Sequence, residues 1–276
     1  MHKAPQVRRE LSVQMRARRL AAGMTISQVA EALEWSETKI SNVETGRTKH
    51  PAVSDIGLML GLYGVTGPER DAILDLARKS RRRDWWADYD DVLTGAYASL
   101  ESGASSVRSY EPAYIPGLLQ TTDYMAAISQ ATLIRDPAAI DRMVEARTKR
   151  QEILERPDAP DVWAIIGQHA LELLIAHDRE LAHHQIEHLL NMADRPNITI
   201  QVLPTSAGFH PGMGGAFTIL GYASSSEGIV FIEADVDGLY LVKDEELERY
   251  RKYHDRLVAK ALDPDDVSGY LRGLIT

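Results

Sequence analysis

Four polar residues, Glu37, Thr38, Ser41 and Asn42, recur at spacings that helical winding brings to one common face. Their side chains suit the reading of base edges. An asparagine amide pairs bidentately with adenine, and a carboxylate accepts from the cytosine amine. Arg16, Gln28, Lys39, Arg47 and Lys49 flank them in sequence and are the candidates for phosphate contacts, which set register and not specificity. Plainer roles stand beside these. Glu37 in a first helical turn serves the helix dipole, and Lys39 can be a solvated surface lysine.

Further along, Glu111, Tyr114, Gln120 and Tyr124 combine aromatic faces with a few polar groups, the mixture that lines small-molecule pockets. The plainer reading is a loop held rigid by Pro and Gly and packed by its tyrosines. Five of the nine histidines fall between residues 169 and 188. His184 and His188 lie one helical turn apart, with Glu180 one turn earlier, a spacing that permits a metal site. The His-Glu-x-x-His pattern is missing, so exposed histidines on a helix are the simpler account. Asp235 and Asp237 read as turn residues before Gly238. The segment from Ala207 to Gly215 is glycine-rich but lacks dinucleotide-fingerprint spacing. A Gly-x-Ser-x-Gly elbow is absent, and cysteine is absent altogether. No catalytic residue, metal ligand or cofactor is expected, and an enzyme with an attached DNA-binding module is the weaker alternative.

The charge is divided unevenly. The chain carries a net −9, which argues against nucleic acid at first sight. Residues 1–83 nevertheless hold 15 Lys and Arg against 9 Asp and Glu, a net +6, leaving −15 on the remainder. A basic module on an acidic body is the electrostatic footprint of a phosphate-binding domain. The chain length of 276 residues suits two domains, placed here at 1–83 and 84–276. With 44% hydrophobic and 26% charged residues the composition is that of a globular protein. No apolar run is long enough to span a bilayer, and the first residues lack a signal-peptide core. A cytoplasmic location and no membrane partner are expected.

About five helices are predicted in the first domain: 8–22, 26–33, 37–45, 53–63 and 68–79. Leu11, Met15, Ala17, Leu20 and Ala21 form the apolar stripe of the first, with Arg9, Arg16, Arg18 and Arg19 elsewhere on it. Thr25 and Ser36 are the N-caps of the second and third. The basic run from Arg78 to Arg83 leads to the domain boundary and reads as a solvated linker, with phosphate contact as the alternative. The second domain predicts helices near 86–101, 121–131, 136–155, 169–175, 178–194 and a closing helix over 244–262. Strands are predicted at 162–167, 197–203, 216–222, 228–233 and 239–242. Strands joined by turns after residue 197 favour mixed or antiparallel pairing. The expectation is an all-α N-terminal domain followed by an α/β or α+β domain with a small mixed sheet.

Residues 24–47 carry a resemblance. Val29-Ala30 in the second helix, the Ser36 cap, Ile40 and Val43 in the third, and the closing Glu44-x-Gly46-Arg47 resemble the xenobiotic-response-element class of helix-turn-helix, the phage-repressor and Cro type. The resemblance implies that the third helix enters the major groove and that Glu37, Thr38, Ser41 and Asn42 contact bases. Two positions depart from the class: Ile26 stands where many relatives carry glutamine, and Glu34 where the turn often carries glycine. Trp35 in that turn reads as a packing anchor. Beyond residue 83, Trp85-Trp86, the segment from Tyr110 to Tyr124, Arg147-x-x-Arg150-Gln151, the segment from Arg195 to Pro204, and His210-Pro211-Gly212-x-Gly214-Gly215-x-Phe217 resemble the actinobacterial WhiJ-like regulators. What that resemblance implies is a transcription factor that binds double-stranded DNA as a homodimer and responds to a small-molecule effector or to a small BldB-like protein partner. A protein-interaction scaffold paired with such a partner is the second reading.

Overall fold

The structure, a computed structural model, describes residues 4–45, 47–48, 51–80, 89, 92, 97–132, 134, 136–222, 228–233 and 238–276, without the side chains of 4–10 and Lys79. It divides into two compact units, 1–87 and 88–276.

The first unit is helical: α1 (Ala4–Ala21), α2 (Ile26–Leu33), α3 (Glu37–Glu44), α4 (Val53–Leu62) and α5 (Gly67–Ser80). Its core joins Leu11 and Met15 of α1, Val29 and Ala30 of α2, Ile40 and Val43 of α3, Ile56, Met59 and Leu60 of α4, and Ile73, Leu74 and Ala77 of α5. Small Ala30 lets α2 approach its neighbours closely, and apolar residues three and four apart supply the seam. The first helix corrects the expected stripe. Ala17, Leu20 and Ala21 are exposed, and Arg19 is buried instead. The stripe rotates because Arg19 finds a buried partner, Glu44, which a solvent-facing arginine would lack.

The second unit is built on a six-stranded sheet of order β3-β2-β1-β4-β5-β6. The strands are β1 (Ser106–Glu111), β2 (Asp161–Gly167), β3 (Ile198–Leu203), β4 (Phe217–Gly221), β5 (Gly228–Glu233) and β6 (Gly238–Leu241). The first three run parallel, and β4, β5 and β6 each pair antiparallel to their neighbour. Each parallel step carries a helical crossover: α7 (Thr122–Ala131) and α8 (Pro137–Gln151) between β1 and β2, then α9 (Gln168–His177) and α10 (Arg179–Ala193) between β2 and β3. α6 (Tyr97–Gly103) precedes β1, and α11 (Asp244–Val258) and α12 (Pro264–Leu274) close the chain.

Alternation along the strands sorts side chains to two faces. Val107, Val162, Ala164, Ile166, Ile200, Val202 and Leu220 pack with Tyr124 and with the apolar stripes of α9, α10 and α12. Tyr110, Ile165, Phe217, Ile219 and Val230 pack under Leu247 and Leu257 of α11 on the other.

Three features differ from expectation. The central strand β1 was not predicted. Its sequence, SVRSYE, offers only Val107 and Tyr110 as large buried apolar residues, too few to register as alternation. The closing helix ends at Val258 and a further helix, α12, follows. Asp263 caps it by accepting from the Asp265 N–H at 3.1 Å, Pro264 sits in its first turn, and Val267 and Leu271 face the core. In β3, Thr199 and Gln201 alternate with Ile198, Ile200 and Val202, a pattern that predicts a half-buried strand with Gln201 outward, yet Gln201 faces no solvent. It is 2% exposed, accepts from the Trp163 indole N–H at 2.8 Å, and donates to the Leu262 carbonyl at 2.8 Å.

Candidate nucleic-acid interface

The turn between α2 and α3 is built from local hydrogen bonds. Thr25 caps α2: its hydroxyl accepts from the Gln28 N–H at 3.2 Å while the Gln28 side-chain carbonyl accepts from the Thr25 N–H at 2.8 Å. This reciprocal pair satisfies two donors that a helix start leaves open. At the other end Glu34 adopts φ 54°, the left-handed conformation that closes α2. The Trp35 N–H reaches back to the Ala30 carbonyl at 2.8 Å, and Ser36 caps α3 through the Lys39 N–H at 3.3 Å. Trp35 packs partly buried against the core, as a packing anchor would.

α3 is then held from behind. Ile40 and Val43 enter the core, and Glu44 at its C-terminal end is buried in a two-pronged ion pair with Arg19, Nε to Oε1 at 2.7 Å and Nη2 to Oε2 at 2.8 Å. The remaining prong of Arg19 donates to the Met24 carbonyl at 2.8 Å. The Ser12 hydroxyl donates to the Val43 carbonyl at 2.8 Å. The Glu44 carboxylate keeps Arg19 charged, and burial beside it pushes the Tyr63 hydroxyl up. A buried, bidentate pair of this kind specifies one orientation of α3 on α1. The sequence signal for it was the terminal Glu44-x-Gly46-Arg47; Arg19 as its partner had none.

The face of α3 opposite the core carries Glu37 and Thr38, both exposed, and Ser41 and Asn42, both half-buried. Arg16, Gln28 and Arg47 are exposed. Gln28 already gives its carbonyl oxygen to the cap, which leaves its amide hydrogens. Lys39 is engaged twice within the unit: its ammonium lies 2.9 Å from the Asp55 carboxylate and 3.5 Å from the centre of the Trp35 ring. Gly46 and Lys49 lie outside the described residues, as do Arg81–Arg83 and Trp85-Trp86.

In the second unit Gln120 and Tyr124 turn to their own backbone. The Gln120 amide donates to the Ile115 carbonyl at 2.7 Å, and the Tyr124 hydroxyl accepts from the Ile115 N–H at 3.1 Å. Burial pushes the Tyr124 hydroxyl up to about 12. Tyr114 is 49% exposed. Gln151 donates to the Gly117 and Gln120 carbonyls at 3.1 and 2.8 Å, so this loop is clamped from α8 as well. Glu111, at the end of β1, is half-buried, and burial followed by the Glu233 carboxylate pushes it up to about 8 against the pull of Arg150. Among the described residues no group of three or more His, Asp or Glu could hold a metal ion. Asp235 and Asp237 lie outside them.

A family model for a domain of unknown function, DUF5753, matches residues 94–272. The chain belongs to that family. A second model, described as a helix-turn-helix domain, matches residues 10–73. The helix-turn-helix domain therefore takes in α2 to α4 whole, with most of α1 and the first half of α5, and the DUF5753 domain holds the whole sheet. No curated protein and no solved structure matched the chain. No helix among the described residues is long and apolar enough to cross a membrane.

Proposed function

We propose that this member of the DUF5753 family is a sequence-specific DNA-binding transcriptional regulator of the phage-repressor type, and that its second domain is a WhiJ-like sensing half of actinobacterial kind. The observation that carries the reading is the helix-turn-helix domain itself, in which α3 is locked by Arg19–Glu44 and turns Glu37, Thr38, Ser41 and Asn42 away from the core. In this class the N-terminal residues of the second motif helix meet base edges in the major groove. Asn42 reads an adenine and Glu37 accepts from a cytosine amine. Arg16 and Arg47 hold phosphates, with Gln28 and Lys49 beside them. Lys39 joins them only by leaving Asp55. A homodimer on two half-sites about 34 Å apart fits the geometry of the class. The acidic second domain then limits nonspecific adhesion to DNA, and its effector is a small molecule or a small BldB-like protein. The protein acts in the cytoplasm and performs no catalysis.

The test is fluorescence anisotropy with DNA from upstream of the protein's own gene, across a salt series, beside a scrambled duplex. A specific complex whose log affinity falls linearly with log salt supports the reading and counts the phosphate contacts. Equal, weak binding to both duplexes moves the interaction-scaffold reading to the front, and stoichiometric co-purification of a small protein would then be its support.

A further inference from the structure

The carboxyl edge of the sheet gathers charges that the DNA-binding reading does not use. Tyr110 pairs with Phe217, and Thr218 with Phe231. One step beyond the first pair and two beyond the second, Glu111 and Glu233 flank Ala216, just before β4. Alternation places all three on one face of the sheet. Val107, Leu220 and Ile229 belong to the same core on that face, and Phe231 meets the Tyr97 ring there at 4.3 Å. The floor between the two carboxyl groups is thus a small alanine, with Thr218 below it, and the Tyr97 hydroxyl nearby donates to Glu101 at 2.9 Å.

Two arginines of α8, one turn apart, lie near enough to feel the charge of Glu233. Arg150 is already committed: Nε and Nη2 lie 2.5 and 3.1 Å from the two oxygens of Glu101, which is 1% exposed, and its guanidinium lies 5.0 Å from the Tyr97 ring centre. It also fills the space beside Gly117, where a Cβ would come within 2.9 Å of Nη2. Arg147 differs. It is half-buried, it faces Arg150 and the charge of Glu233, and no hydrogen bond or ion pair ties it to another described residue. Glu111 likewise has no side-chain partner among the described residues. Neither Arg147 nor Glu111 forms an ion pair with a described residue, although Arg147 feels Glu233 and Glu111 feels Arg150. Open sheets bind ligands at this place, outside the carboxyl ends of the parallel strands, where the strand order reverses direction around β1.

We infer that this edge binds a small zwitterion of the α-amino-acid class, its carboxylate on Arg147 and its ammonium between Glu111 and Glu233. The inference rests on the reading of the second domain as the sensing half, and it names the chemistry of the effector. The guanidinium fork matches a carboxylate in two parallel hydrogen bonds. The ammonium offers three donors to two carboxylates. Glu111 gives up its proton as the ammonium arrives, so one proton passes to solvent for each ligand bound. Arg150 is a positioning residue: it occupies Glu101 and so leaves Arg147 to the ligand.

The experiment is thermal unfolding of the full chain with each of the twenty standard amino acids at about 10 mM, where a ligand selective for the folded state raises the midpoint. The expected result is a saturable rise with one or a few of them. The matching acid without its amino group and the matching amine without its carboxylate should bind at least about tenfold more weakly. Arg147→Gln and Glu111→Gln should each lose the effect, and Lys252→Gln, in a surface pair on α11, should keep it. If Arg147→Gln does not fold, Arg147→Lys replaces it and should weaken binding by about tenfold. Calorimetry in two buffers of different ionisation enthalpy should report proton release in the native protein and none in Glu111→Gln. No rise with any amino acid, or an equal rise in both variants, overturns the site. Failure of DNA binding in the anisotropy assay leaves these readings intact, so the two proposals fail separately.

Discussion

Glu34 sits at φ 54° with no glycine to relieve the crowding of its Cβ. A left-handed backbone costs a side chain about 1 kcal/mol that glycine escapes. Glu34→Gly should therefore raise the stability of the helix-turn-helix domain by about 0.5–1 kcal/mol, read from urea midpoints, and a lowered midpoint would show that the side chain contributes more than its strain. Glu44 is the opposite case. Removing it with Glu44→Ala strands the Arg19 guanidinium, 7% exposed, in an apolar setting, and should destabilise the domain by about 3–5 kcal/mol. Asn42 belongs to the surface instead. Asn42→Ala should cost about 1–3 kcal/mol of operator affinity and relax choice at one base pair. A uniform loss across all duplexes would assign Asn42 to the DNA backbone.

α10 reaches across to the loop before α7 through one side chain. Gln185, fully buried, accepts from the Thr121 N–H and hydroxyl at 2.8 and 3.2 Å and donates to the Leu119 carbonyl at 2.8 Å. Gln185→Leu keeps the volume and strands all three groups, each buried orphan costing on the order of 1–3 kcal/mol. Hydrogen exchange should then accelerate over residues 115–125 ahead of the sheet; unchanged protection there would mean the Pro and Gly of the loop hold it unaided. This loop shows what an element-scale reading recovers. Its rigidity was legible in Pro112, Pro116 and Gly117, while the use of Gln120 and Tyr124 to hold Ile115 depended on where the chain turned back on itself.

His254 and Glu111 set opposing pH dependences for the whole molecule. His254 on α11 is 1% exposed, its ring edge-on to Trp163 at 5.9 Å and neither nitrogen hydrogen-bonded to a described residue. Burial, followed by Arg108, pushes it from 6.5 down to about 4. Between those values the unfolded chain takes a proton that the folded one refuses, so stability falls as pH drops from about 6.5 to 4, by at most about 3 kcal/mol. Glu111 acts in reverse. Its carboxyl ionises near 4.5 when unfolded and near 8 when folded, so stability falls as pH rises through that window. The two oppose each other from about 4.5 to 6.5, and above that Glu111 acts alone. Denaturation of the full chain should show a decline from pH 6.5 to 8 that Glu111→Gln removes and His254→Gln leaves in place. Persistence of the decline in Glu111→Gln would assign it to another group.

Local periodicity determined much of this protein without help. The apolar residues of α2 and α3, the caps Thr25 and Ser36, and the alternation of Ile198, Ile200 and Val202 each report burial of a nearby face, which neighbouring residues encode. They were enough for short capped helices ahead of a mixed sheet, and the resemblance of residues 24–47 made those helices a helix-turn-helix. The tertiary structure decided what depends on partners far along the chain. β1 holds the middle of the sheet although its own sequence is half polar, because β2 and β4 cover it on both sides. Arg19 turned inward because Glu44, 25 residues on, was there to meet it. Glu111, Glu233 and Arg147 are drawn to one edge by strand order and by the path of α8. A side chain's spacing states which way it faces, and only the closed fold states what it faces.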